Sequence, residues 1–583
     1  MNKRYCFLML FVGVHLLWAQ DEADASIGTQ QVTVIKSYTP SLSDAFKLRS
    51  NPVPPDSLLQ KKQSVEYPLI DVPVVSTFVP NKATPLKLTR RTSETPYNSF
   101  FSLGLGNHKQ VLFDVSSVVQ LDRNQSLGIW TYRDGFGGAV PNTIFQSRQN
   151  EFFLGGHHTL KENSFIGISK LNFESLNTAY YGLYDMEWDP LLINAVDPDI
   201  KRQKVALQTD WLWYDSLLRK LEFKTHYVAD NFRTAEQLLY LKTQLRAELF
   251  EGDLDLTAQI NGSHTRFESD YFTKEQVSKT LGLGTVGLQW THLKNDLKIK
   301  VGATGSYVVD PNDASENKIT YYPNIDLSYQ TQKSKIIPYL NAQGNVRLNS
   351  YSEHYQENPF LAPTIDQRYS WSKYNTHLGI RSTVSSILGF DFSLYFDQVD
   401  QLALYQRLPF DPDNKDLAYR LSNAYNLIYS DVWVYGLKTQ FKIQLGKENH
   451  LGFHVNYTQY DAIDNKPLWN IPNVTMRAEG QIKWSNKWVF SFDASFLGDR
   501  KGAAWDIFLT QTPEEALQRT PPTVNLPPYL TGQAQFTYKI KPQIDVFAKA
   551  RYNSESVHGR WAFYPQHSLF VLLGASYKFD FQF

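Results

Sequence analysis

Cysteine is almost missing from this chain. Its one example, Cys6, sits in the first few residues, so everything downstream lacks disulfides, thiolate metal sites and a cysteine nucleophile. Methionine is scarce, at 4 residues. Past the N-terminus no run approaches 18 apolar residues, which excludes a spanning helix. Mean hydropathy is below zero, which excludes a polytopic helical membrane protein. There is no net charge either, since 58 Lys and Arg balance 58 Asp and Glu. Without a basic surplus, no nucleic-acid partner is expected. What the chain does have is aromatic side chains, with 34 Tyr and 36 Phe in 583 residues. That profile fits a large secreted β-protein or an outer-membrane barrel.

The N-terminus carries Lys3 and Arg4, then the apolar run Phe7–Trp18, then Ala19-Gln20 before the acidic pair Asp21-Glu22. A charged start, a short apolar stretch and a polar exit describe a secretory signal peptide over residues 1–19. Cys6 precedes the apolar run and is therefore no lipoprotein acylation site. Residues 20–97 differ from the rest, because Pro40, Pro52, Pro54, Pro55, Pro68, Pro73, Pro80, Pro85 and Pro96 interrupt every candidate element. We expect this region to be a short, extended periplasmic segment with one β-prone run, Val32, Thr33, Val34 and Ile35.

From about residue 98 to the end the pattern is constant. Leu241, Thr243, Leu245, Ala247 and Leu249 alternate with Lys242, Gln244, Arg246 and Glu248. Leu254, Leu256, Ala258 and Ile260 alternate with Asp255, Thr257, Gln259 and Asn261, and Leu297, Ile299, Val301 and Ala303 with Lys298, Lys300, Gly302 and Thr304. Period-two alternation gives each strand one greasy and one polar face. A soluble sandwich alternates too, but three features select a membrane barrel. The segments are long enough to cross a bilayer at a tilt, their polar faces are charged as a wet lumen requires, and their connections alternate between short and long.

Ten short turns are recognisable, near Asp122–Asn124, Lys161–Asn163, Asp215–Lys220, Glu251–Asp253 and Lys294–Asp296, and near Thr331–Ser334, Ser386–Leu388, Gly446–His450, Ser485–Lys487 and Lys541–Gln543. With both barrel termini in the periplasm, ten turns imply about 22 antiparallel strands over residues 98–583. Trp211, Trp213, Trp290, Trp484 and Trp488 lie beside these turns, where an interfacial girdle belongs. Long outer loops are expected near Asp134–Asn150, Glu174–Ile200, Ser350–Trp371, Gln398–Ser430 and Gly498–Pro528, with side chains suited to sugars, peptides or partner proteins. The final stretch places Leu569, Val571, Leu573, Ala575, Tyr577, Phe579, Phe581 and Phe583 on one face. Such an edge would aggregate in water, but in a closed barrel it pairs with the first strand and faces lipid.

The fold class is thus all-β, a transmembrane outer-membrane barrel. Tyr577, Phe579, Phe581 and Phe583 resemble the C-terminal signal read by the barrel-assembly machinery. The strand count, the closing stretch Gly559–Pro565 and the segment Leu573–Phe579 resemble TonB-dependent receptors, and Val32–Lys47 resembles the start of a group of short barrels of this kind from Bacteroidota. The resemblance implies a place in the outer membrane of a Gram-negative cell, in contact with its lipid, and transport of a ligand. It also implies that Val32–Ile35 serves as a TonB box, captured by strand addition. A full plug domain has no room between signal and first strand, although a barrel this wide is plugged. The extension, inward-folded loops, or a plug or lipoprotein partner must fill it. The alternative role is a plugless structural subunit of a larger secretion or assembly complex. No cofactor, metal or enzymatic site is expected. Asp411–Asp416 imitates a calcium loop but has Lys415 at a ligand position and no following Gly. His157 and His158 would point to opposite faces. No nucleophile elbow, zinc motif or phosphate loop occurs.

Overall fold

A computed structural model describes residues 97–581, apart from 312–314, 316, 332–334, 384, 386, 506–511, 518 and 555–556. The segment Val32–Ile35, the signal peptide and Phe583 lie outside the described residues. Alternation becomes architecture directly: 22 strands join in one antiparallel sheet, each to its sequence neighbour. The sheet closes because the first strand, Ser99–Gly106, pairs with the last, Leu569–Phe579. Ser99 stands opposite Phe579, Leu103 opposite Ala575 and Leu105 opposite Leu573. Asn98 clasps the seam, donating through Nδ2 to Phe581 O at 2.7 Å while its Oδ1 accepts from Phe581 N at 2.8 Å. Closure leaves no free edge, the only way a sheet can stand in hydrocarbon.

The two faces divide as the sequence reading requires. Leu573 is 66% exposed and Ile260 57%, both on the outer surface with Val301, Leu288 and Phe536. Inside, Lys242 faces Gln259, Gln244 faces Thr257 and Arg246 faces Asp255 across the strand pair. Arg246 grips Asp255 with Nε at 2.7 Å and Nη2 at 3.0 Å, the fork geometry that suits a carboxylate. All ten expected turns fall between consecutive strands, on the rim that also holds both barrel termini. Trp211 and Trp213 stack at 6.2 Å on that rim, and Trp488 packs on Tyr538 at 4.6 Å. Tyr577 and Phe579 stack at 5.8 Å beside the seam.

One expectation is corrected. About half of the region Gln398–Ser430 is strand, because Leu388–Arg407 and Tyr425–Gln444 run 20 residues each and leave 408–424 as loop. A bilayer crossing needs about 10 residues. The surplus continues above the membrane as a paired ribbon, with a register shift between Val399 and Leu402.

Candidate functional site

The outer rim is closed by its own loops. Residues from 180–198, 268–276, 349–368, 408–424 and 554–568 contribute Tyr180, Tyr271, Tyr355, Leu361, Tyr419 and Trp561 to one buried cluster. This apolar seal is pinned by three fully buried arginines. Arg202 donates Nε to Tyr351 Oη at 3.1 Å, Nη1 to Pro359 O at 2.6 Å and Nη2 to Leu361 O at 2.7 Å. Arg407 donates Nη1 to Ala562 O at 2.9 Å, Nη2 to Gly182 O at 2.7 Å, and Nε to Ser422 O. Its guanidinium also lies 4.4 Å from the Tyr184 ring centre and 4.6 Å from that of Phe563. Arg420 holds Asp411 Oδ2 at 2.5 Å and Tyr271 O at 2.9 Å. Burying a charge is costly unless its hydrogens are met, and the flat, always charged guanidinium can meet several loop carbonyls at once.

The short helix Tyr351–Glu357 forms at the pattern Ser350-x-x-Glu353, a capping box whose Ser350 Oγ accepts from Glu353 N at 3.3 Å. Its first turn docks on the barrel wall through Glu236, a fully buried carboxylate that accepts from Tyr351 N at 2.6 Å and Ser352 N at 3.0 Å. Gln367 Nε2 and Thr265 Oγ1 each reach the same carboxylate at 3.3 Å. His226 Nε2 lies 3.2 Å from Glu236 Oε1 and 2.9 Å from Ser352 Oγ. A hydrolytic relay needs serine and carboxylate on opposite ring nitrogens. Here both share Nε2, so the trio is a docking node. In the same helix burial pushes the His354 imidazole down to about 3, with Arg347 adding to the effect and Glu236 opposing it. The Tyr405 hydroxyl links His354 Nδ1 and Glu357 Oε2, both at 2.9 Å.

Two cavities flank this seal. The outer one, about 760 Å³, is bounded by Phe267 at the outer end of a strand, by Tyr271 and Phe272, and by the loop side chains Arg368, Lys466 and Arg519. Its floor is aromatic and its lip charged. Gln367, which lines this cavity, has a buried Oε1 without a hydrogen-bond partner among the described residues. The second cavity, about 660 Å³, lies deeper in the lumen, against the mid-strand residues Gln259, Asn261, Asn375 and Asp397. Both volumes fall in the range that holds small ligands.

The sequence-derived candidates separate. Tyr577, Phe579 and Phe581 line the seam at the opposite end of the last strand from the loop cluster, and Val32, Thr33, Val34 and Ile35 lie outside the described residues. Asp411, the head of the calcium-like stretch, is instead the buried partner of Arg420 and accepts from Asp413 N at 3.2 Å. His157 packs on Trp130 and His158 on Gln125, on opposite faces. Sequence reading missed Arg202, Arg407, Arg420, Glu236 and Trp469. The one signal was Arg202 and Glu236, charged residues at inward positions near the outer ends of their strands.

Comparison with solved structures places this architecture. The FrpB iron transporter from Neisseria meningitidis superposes with a TM-score of 0.59 over 84% of this chain and 82% of its own, at 10% identity. A mutant of the ferric enterobactin receptor PfeA from Pseudomonas aeruginosa gives 0.55 over 83% and 80%, at 11% identity. A chain of the FpvAI–pyocin S2 complex gives 0.57 over 83% and 70%, at 8% identity. No family model and no curated protein matches the sequence. The fold is that of an outer-membrane receptor barrel. More narrowly, it is a closed barrel of 22 strands similar in fold to these FrpB and PfeA structures.

Proposed function

We propose that this protein takes a ligand from outside the cell into the periplasm, with the outer cavity as its first resting place. The observation that carries this reading is a ligand-sized chamber set over the lumen of a barrel with a receptor fold. The neighbours named as an iron transporter and a ferric enterobactin receptor support uptake as the general activity. In this reading residues 1–19 direct export, 20–97 remain in the periplasm and 98–583 form the barrel. The C-terminal aromatics Tyr577, Phe579, Phe581 and Phe583 recruit the assembly machinery, and Val32–Ile35 offers TonB an extended strand. Deleting Val32–Ile35 tests it: energised uptake should stop while barrel abundance in the outer membrane stays unchanged. Unchanged uptake would remove TonB from the account.

The three arginine clamps favour a second reading, a permanently closed barrel that scaffolds a larger assembly. A stoichiometric plug or lipoprotein recovered with the protein from native membranes, and retained after deletion of Val32–Ile35, would select that reading over uptake.

A further inference from the structure

One loop touches both cavities. Residues 463–473 connect the strands His450–Ala462 and Val474–Lys483. The first half of this loop, through Lys466 and Pro467, lines the outer chamber. The second half, through Asn470 and Ile471, lines the lumenal one. Between them stands Trp469, and it is the one side chain common to both linings. It is 1% exposed. Trp469 is therefore part of the wall of two ligand-sized spaces.

Besides the bonds at its ends, at Ile463 and Asn473, the loop is held on either side of Trp469. On the outer side Lys466 Nζ donates to Tyr429 O at 3.2 Å, and Asp464 Oδ1 accepts from Ser430 Oγ at 2.8 Å. On the inner side Asn470 Nδ2 donates to Tyr405 O at 2.6 Å and Asn470 N to Lys501 O at 2.7 Å. Beside each hold the backbone turns through the left-handed region, at Asn465 (φ 56°) and Asn470 (φ 60°). Asparagine tolerates that conformation better than most residues. Two such corners bracketing a short segment are the places where a swing of Trp469 would be absorbed. The holds are few and peripheral, whereas the arginine clamps fix the neighbouring loops through many buried hydrogen bonds.

We infer that Trp469 is the partition between the outer chamber and the lumen, and that loop 463–473 is the element that moves to join them. This rests on the uptake reading and adds to it the point of passage: ligand crosses the seal at Trp469, with the three clamps intact. An apolar constriction of this kind blocks water and solute by dewetting and by bulk.

The test uses the full-length protein in liposomes, with swelling in isotonic arabinose as the readout and the heat-modifiable gel band as the check on folding. Wild type should swell little. Trp469→Ala should swell severalfold faster, and Trp469→Phe should remain near wild type. If Trp469→Ala loses the heat-modifiable band, Asn470→Ala, which removes the side-chain half of the inner hold, carries the test and should also leak. A folded Trp469→Ala barrel no leakier than wild type would overturn the inference, as would a wild type that already passes arabinose as fast as the variant. Swelling needs neither cargo nor energy. A leaking variant together with cells that take up nothing would therefore sink uptake and leave the partition standing.

Discussion

The Trp505 indole Nε1 donates to the backbone carbonyl of Arg407 at 2.6 Å, so the residue whose side chain binds three loop carbonyls has its own carbonyl bound by another loop. Segments near 182, 422, 505 and 562 thus meet at one arginine.

Arg407→Met should loosen the seal without opening the sheet. The change strands the carbonyls of Gly182 and Ser422 in an apolar setting, at about 1–3 kcal/mol for each one that water does not reach, and leaves Ala562 O with only the Tyr425 hydroxyl at 3.3 Å. Arg407→Lys should recover little, since a point charge cannot replace a planar fork. Proteinase K added to intact cells should cut either variant in its outer loops faster than wild type, while the heat-modifiable band of the barrel persists. Equal resistance would mean the clamp is dispensable.

Acid should weaken the same seal through His354. Its folded-state value lies near 3, below the ordinary 6.5, so the unfolded loop binds a proton that the folded loop refuses. The stabilisation is complete above pH 6.5 and is lost as pH falls towards 3, with a slope of about 1.4 kcal/mol per pH unit in that window. Arg347 and Glu236 act on the ring from either side, and Tyr405 connects it to Glu357. Protease sensitivity of the loops should rise between pH 7 and pH 5 in wild type and stay flatter in His354→Gln. Parallel profiles would assign the acid response to another group.

The wall should distinguish lipid from lumen at adjacent residues. Val301 stands outside between Trp290 and Ile325, and Lys300 inside between Thr291 and Asp326. Val301→Arg should cost about 2–4 kcal/mol near the membrane midplane, and Lys300→Leu much less. Guanidinium unfolding in liposomes measures both, and equal costs would contradict the assigned faces.

Gly574 should be irreplaceable at the seam. A Cβ there would meet Leu103 O at 2.6 Å and Phe547 Cζ at 2.3 Å. The first distance is to backbone on the partner strand, which can yield only by opening the pair. Gly574→Val should therefore abolish the folded band on unheated gels, whereas Ala575→Val, on the outer face, should keep it.

The wall was readable from the chain because its rules are local. Leu254 to Ile260 announces a strand and its outer face without reference to any other segment, and the pair Lys294–Asp296 announces a turn. The seal was not readable, because its partners are distant: Arg407 meets Gly182 across 225 residues and Ala562 across 155. Carbonyl acceptors also leave no trace in side-chain composition. Asp411 was hidden for the same reason. Its neighbours in sequence make a poor cation loop and suggest a solvated turn, while its counter-charge, Arg420, arrives by way of the fold and buries it. The ribbon beyond Gln398 was hidden by Asp400 and Gln401, which resemble a loop but form an irregularity after which the pairing resumes at Leu402.

The seam carries one more consequence. Ser99 finds its mate in Phe579 and Asn98 in Phe581, the latter 483 residues downstream. Until both borders exist together, the sheet has two raw edges and no means of covering them. A chain cut short anywhere between them keeps both edges bare, so closure tests the whole wall at once.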